Sequence, residues 1–168
     1  MRAALLVISL LLLAGCAQRR ADDRVPPADF AGTVEYANGT VAPPHHYRWR
    51  LTFDDATAVV EWRPGYDEST EPWRETVPIT GDQWTRLYGQ LRGLGVFGTT
   101  EASDDGLVGG PGGSIEITAG GRTYAPGPLG GSEDSARLLT DVADAVRELV
   151  PAEVWDGLRA RQDEWRPK

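Results

Sequence analysis

The chain predicts an α+β domain: a largely antiparallel sheet built from hairpins, with about three helices packed on one of its faces. Three observations carry this. From His46 to Phe53, Tyr47, Trp49, Leu51 and Phe53 alternate with His46, Arg48, Arg50 and Thr52, the period-two pattern of a strand with one wet face. Trp84, Leu87, Tyr88, Leu91 and Leu94 recur at helical spacing, and so do Ala136, Leu139, Val142, Ala143, Val146 and Leu149. The order of the patterns is strands, a helix, strands, then two helices, which suits helices lying on one side of a sheet.

In chain order, the first strand is expected over Thr33 to Ala37. Asn38-Gly39 follows, the dipeptide suited to the positive backbone angles of a type I′ turn, before Pro43-Pro44 interrupts pairing. Behind the His46–Phe53 strand, Asp54-Asp55 supplies a turn, and Ala56, Ala58, Val60 and Trp62 return at the same period. Because strand side chains change face at every residue, only an even-length loop places these four beside Trp49 and Leu51. That register sets Glu61 opposite Arg48 or Arg50 on the outer face, a cross-strand pair contributing about 0.2–1 kcal/mol, with His46 on the same wet face.

After a polar loop from Pro64 to Pro72, Trp73 to Val77 adds a short strand. Thr80 and Gln83 form a capping-box pattern for the first helix, Ile79 and Trp84 stand at the positions of a hydrophobic staple, and Gly93 and Gly95 provide stops. Ser114 to Ala119 and Arg122 to Tyr124 read as a hairpin about Gly120-Gly121, with Ile115 and Ile117 inward. Ser132 caps the next helix, whose first turn carries Glu133 and Asp134 at its positive end. Pro151 fits the first turn of the last helix, with Val154, Trp155 and Leu158 on its apolar side and Trp165 a candidate to extend it. The stretch from Gly98 to Gly113 has no period and is long for a structureless connection, which marks it as mobile or functional.

Composition narrows the chemistry. The formal net charge is -8 and the basic residues are scattered, so nucleic acid is not an expected partner. The single cysteine excludes an intramolecular disulfide. No serine stands in a G-x-S-x-G elbow, and the sole lysine, Lys168, leaves neither an S-x-x-K pattern nor a P-loop. His45 and His46 are neighbours that a strand would point to opposite faces, and Asp104-Asp105-Gly106 lacks the ligand spacing of an EF-hand. No metal, cofactor or catalytic motif is therefore expected. Two sets of residues remain. Glu35, Glu61 and Glu116 fall on strands, where two carboxylates converging in one cleft could perform acid–base work on a glycoside. Tyr66, Trp73 and Trp165 are left over from the core periodicity and, with Asp104 and Asp105, are the candidate ligand or partner surface.

The N-terminus carries the most specific pattern. Met1-Arg2 gives a charged start, and the apolar run from Ala3 to Leu13 is well short of the about 20 residues that span a bilayer. It closes on Leu13-Ala14-Gly15-Cys16, which resembles the lipobox of bacterial lipoproteins. The resemblance implies that residues 1–15 are a signal peptide recognised through Leu13, Ala14 and Gly15, and that Cys16 becomes a diacylglyceryl cysteine and the new first residue. Two or more acyl chains such as palmitate anchor stably where one binds marginally. Residues 16–29 would then be the lipidated N-terminus and a flexible tether, those after Cys16 reaching roughly 40–45 Å when extended. Residues 30–168 would form one globular domain on the extracytoplasmic side of the cell membrane, or on the outer membrane of a double-membraned host. The expectation is a non-enzymatic binding or protein-interaction module facing an envelope protein or cell-wall ligand. The alternatives are a hydrolase using the strand carboxylates, and an inhibitor or receptor partner acting through Gly98–Gly113.

Overall fold

Period-two alternation builds a six-stranded sheet in the computed structural model, which describes residues 25–43, 45–98 and 109–166. The strands are β1 (Ala31–Ala37), β2 (Tyr47–Phe53), β3 (Thr57–Pro64), β4 (Trp73–Pro78), β5 (Gly112–Ala119) and β6 (Arg122–Tyr124). They run in the order β4-β3-β2-β1-β5-β6, each pairing antiparallel. Helix α1 (Gly81–Gly93) and a 3₁₀ turn (Val96–Gly98) follow the meander, and α2 (Glu133–Arg147) and α3 (Ala152–Glu164) follow β6. This is the expected α+β arrangement.

The predicted register holds. Residues 54–57 separate Phe53 from its partner Ala58, an even number, so Trp49 faces Trp62 and Leu51 faces Val60. All of these are buried. Asp54 closes the turn by accepting from the backbone N–H of Ala56 at 2.8 Å and of Thr57 at 2.7 Å.

The turn after β1 does not follow the sequence expectation. Ala37 pairs with Arg48, which leaves residues 38–46 as a wide loop in place of a two-residue hairpin. A type I′ turn needs positive φ at both central residues, yet only Gly39 has it, at +92°. The Asn38 side chain instead ties the two ends of the loop together: its Oδ1 accepts from the Tyr47 N–H and its Nδ2 donates to the His45 carbonyl, both at 3.0 Å. At Gly120-Gly121 the chain does turn tightly, with φ of +62° and +73°.

The inner face of the sheet carries an aromatic row running across four strands, Tyr36, Trp49, Trp62 and Trp73. Helix α3 addresses three of them in turn. Trp155 meets Trp49 edge-on with ring centroids 5.5 Å apart, the Trp62 indole N–H donates to Gln162, and the Arg161 guanidinium lies 4.4 Å over Trp73. Helix α2 packs over β1 and β5 and against α1. A second aromatic cluster forms around Phe30, whose ring lies 5.0 to 6.5 Å from those of Tyr88, Phe53, Trp84 and Phe97. Both reciprocal bonds of the Thr80–Gln83 capping box are present. Ser132 and Ser135 form the equivalent at α2, whereas α3 starts from Pro151 as its N-cap with no side-chain bond.

Candidate functional site on the open sheet face

The three helices among the described residues lie on the inner side; the outer face of the sheet is polar, and none of its described side chains in the central rows is buried. One row crosses five strands as Ser114, Glu35, Arg50, Glu61 and Arg74. Ser114 Oγ donates to Glu35 Oε2 at 3.3 Å, Arg50 Nε donates to Glu35 Oε1 at 2.7 Å, and Arg74 pairs with Glu61. Of the two expected partners, Arg48 and Arg50, Glu61 stands opposite Arg50, but the two form no ion pair with each other. Arg50 turns to Glu35 on β1, and Glu61 is taken by Arg74 of β4.

The adjacent row contains Gly112, Ala37, Arg48 and Arg63. Its first two members have almost no side chain, and a cavity of about 500 Å³ opens above them, bounded by Glu35, Arg48, Arg63, Glu68 and Pro72. Arg48 and Arg63 are directly opposed, an arrangement that costs energy unless each charge finds other partners. Both turn to the loop between β3 and β4. Arg63 donates to the carbonyls of Glu68 and, at 2.7 Å, Thr70, and so fixes the loop as a wall of the cavity. Arg48 meets Glu68 Oε1 at 3.0 Å through one terminal nitrogen, while its Nε is shielded from solvent with no hydrogen-bond partner among the described residues. Asp67 stabilises the same loop by accepting from the side chain and backbone of Ser69, which holds its carboxyl below the usual range.

The other sequence candidates are dispersed. Tyr66 is exposed, its ring stacked on His46 at 3.8 Å and its hydroxyl donating to the Val41 carbonyl. Trp165 is half-buried against Gly65, while Trp73 belongs to the inner aromatic row beneath Arg161. Glu116 is exposed in a different row from Glu35 and Glu61. Asp104 and Asp105, with residues 99–108 of the Gly98–Gly113 stretch, lie outside the described residues, as do Leu13, Ala14, Gly15 and Cys16.

His46 corrects a sequence expectation. It precedes β2 and is only 6% exposed instead of sitting on the wet face. Its Nδ1 lies 3.0 Å from the Gly39 carbonyl oxygen, and its own carbonyl accepts from Gly65 and Gln162. Burial, with a lesser contribution from Arg48, pushes the imidazole pKa below its ordinary value against the opposing Gly39 contact. Among the described residues there is no group of three or more metal-ligating side chains, and no helix is long and apolar enough to cross a membrane.

Sequence reasoning missed the cavity. A local signal is Arg63 at the head of the charged loop that carries Asp67, Glu68 and Glu71.

No protein-family model and no curated protein matches the chain. Among solved structures, one chain from "Crystal structures of trypanosoma bruciei MRP1/MRP2" is similar at a TM-score of 0.27 and 16% identity, over 80% of this chain and 93% of that one, a likeness too slight to bear on function.

Proposed function

We propose that the chain is a lipid-anchored cell-envelope lipoprotein whose folded part is a non-enzymatic binding module working through the outer face of its sheet. The observation that carries the binding reading is the asymmetry of the sheet. One face is closed by three helices, while the other holds an ordered polar lattice around a cavity of about 500 Å³. A cavity of this size with a few fixed polar groups suits a small ligand or a projecting chain segment. The carboxylates that could serve a hydrolase favour it less, because Glu35 and Glu61 stand on either side of Arg50 and each is engaged by an arginine. The anchor rests on Leu13-Ala14-Gly15-Cys16 and the apolar run before it.

Two arms test this in the intact host. Replacing Cys16 by serine should release the protein from the membrane fraction or leave it as unprocessed precursor; a processed, fully membrane-bound variant would refute the anchor. Photo-crosslinkers placed at Thr76 or Thr118 on the outer face should form adducts that positions 133 and 156 on the helices do not. Equal adducts from both faces, or none, would refute the binding face.

A further inference from the structure

We infer that the Arg48–Arg63 end of the cavity is a subsite for a carboxylate, and that the Glu68 side chain occupies it as an internal stand-in until a ligand carboxylate displaces it. The inference rests on the binding reading above and names the ligand chemistry of the same face. Arg48 and Arg63 bring two guanidinium groups together in one row, and neither has a carboxylate partner within the sheet. Glu35 and Glu61, in the next row, are committed to Arg50 and Arg74.

The one carboxylate that Arg48 meets belongs to Glu68, whose side chain is 82% exposed on the loop. A pair so open to water is screened and contributes little, so this contact is replaceable. Arg48 also retains a shielded N–H at Nε without an acceptor, an arrangement that folded proteins rarely keep without a reason. A carboxylate seated more deeply than Glu68 would present two oxygens to the guanidinium fork in the bidentate geometry arginine favours. Arg63 is held to the loop carbonyls and supplies fixed positive charge beside it. The missing side-chain bulk at Ala37 and Gly112 leaves space on the floor for the body of the ligand. Charge also selects the ligand: Glu35 and Glu61 line the same cavity and disfavour a doubly charged phosphate there, which a single carboxylate tolerates better.

The test uses full-length protein carrying Cys16→Ser, with N-acetylalanine, its neutral amide and inorganic phosphate as probes. The readout is the Nε–H NMR resonance of Arg48. The acid should shift it saturably and the amide should not. Glu68→Gln should tighten the acid about two- to fivefold by removing the internal competitor, an effect that a merely structural role for Glu68 would not produce. Arg48→Gln, read through the backbone amide resonances of Ala37 and Gly112 in the cavity lining, should weaken binding at least about tenfold, with a far-UV spectrum matching the parent. Equal response to acid and amide, no tightening in Glu68→Gln, or tighter binding of phosphate would each overturn the subsite. Outer-face crosslinks that persist undiminished in Arg48→Gln would overturn it while leaving the binding reading intact, whereas loss of the crosslinks from the parent protein would fell that reading itself.

Discussion

The Trp62 indole donates to Gln162 Oε1 at 2.9 Å, and the same amide donates from Nε2 to the His46 carbonyl at 3.2 Å. One side chain of α3 thereby joins the C-terminal part of β3 to the chain entering β2. Both Trp62 and Gln162 are buried, so neither group has water as a substitute. Gln162→Leu keeps the volume but leaves the buried Trp62 N–H without its acceptor and the His46 carbonyl with the Gly65 N–H alone. The expected loss is about 1–3 kcal/mol, read as a lower urea midpoint at unchanged m-value.

His46 makes the fold sensitive to mild acid. Its folded-state pKa lies below the ordinary 6.5, so the unfolded chain binds the proton more readily. Stability is therefore fully present above about pH 6.5 and falls as pH drops through the folded-state value, where it levels off. Thermal melts between about pH 7.5 and 5 should show this decline in the parent. His46→Phe keeps a ring against Tyr66 but has nothing to titrate, and should flatten the slope while lowering stability overall through loss of the Gly39 contact. An unchanged slope in the variant would assign the acid sensitivity to other groups.

Gly113 is required by close approach. It lies in β5 between β1 on one side and Leu129 on the other, exchanging hydrogen bonds of 3.1 and 2.9 Å with Leu129. A Cβ there would collide with the Glu35 backbone carbonyl. Gly113→Ala should push β1 and β5 apart and cost about 1–3 kcal/mol, with the loss visible as a lower denaturation midpoint. Since Glu35 belongs to the charged row and residues 112–113 border the cavity, the variant should also disturb the outer face. Parent-like stability would show that the strands yield without penalty.

The fold was legible wherever a single segment carries its own pattern. Alternation in β2 and β3 determined the faces, and parity of the intervening turn determined the register. Thr80 with Gln83, and Ser132 ahead of an apolar stripe, marked two helix starts through local hydrogen bonding alone. What escaped depends on partners far away in sequence. Phe30 has no periodic neighbours, yet it gathers four aromatic rings from other elements. His46 continues the alternation of β2, but Tyr66, Gly39 and Gln162 overrule it. The cavity arises because Ala37 meets Gly112 across β1 and β5 while the loop after β3 folds over Arg48 and Arg63, and no local window contains those facts.

Asp29 fixes where the chain enters the sheet from its N-terminal side. Its two carboxylate oxygens accept from the backbone N–H groups of Gly120 at 2.7 Å and Gly121 at 2.6 Å, clamping the segment before β1 to the β5–β6 turn. Those two bonds, Gly121 first, hold the carboxyl pKa below its ordinary 3.8. The sign follows: the clamp is complete at neutral pH and weakens only as pH falls below that value through the folded-state pKa. The Gly120 and Gly121 amide proton resonances should therefore stay at their hydrogen-bonded positions down to about pH 4 and move upfield below it. In Asp29→Ala they should lie upfield at every pH, with the core resonances of Leu51 and Val60 unmoved. If the two glycine amides titrate identically in parent and variant, the carboxylate does not hold the turn, and the entry of the chain into β1 is not set there.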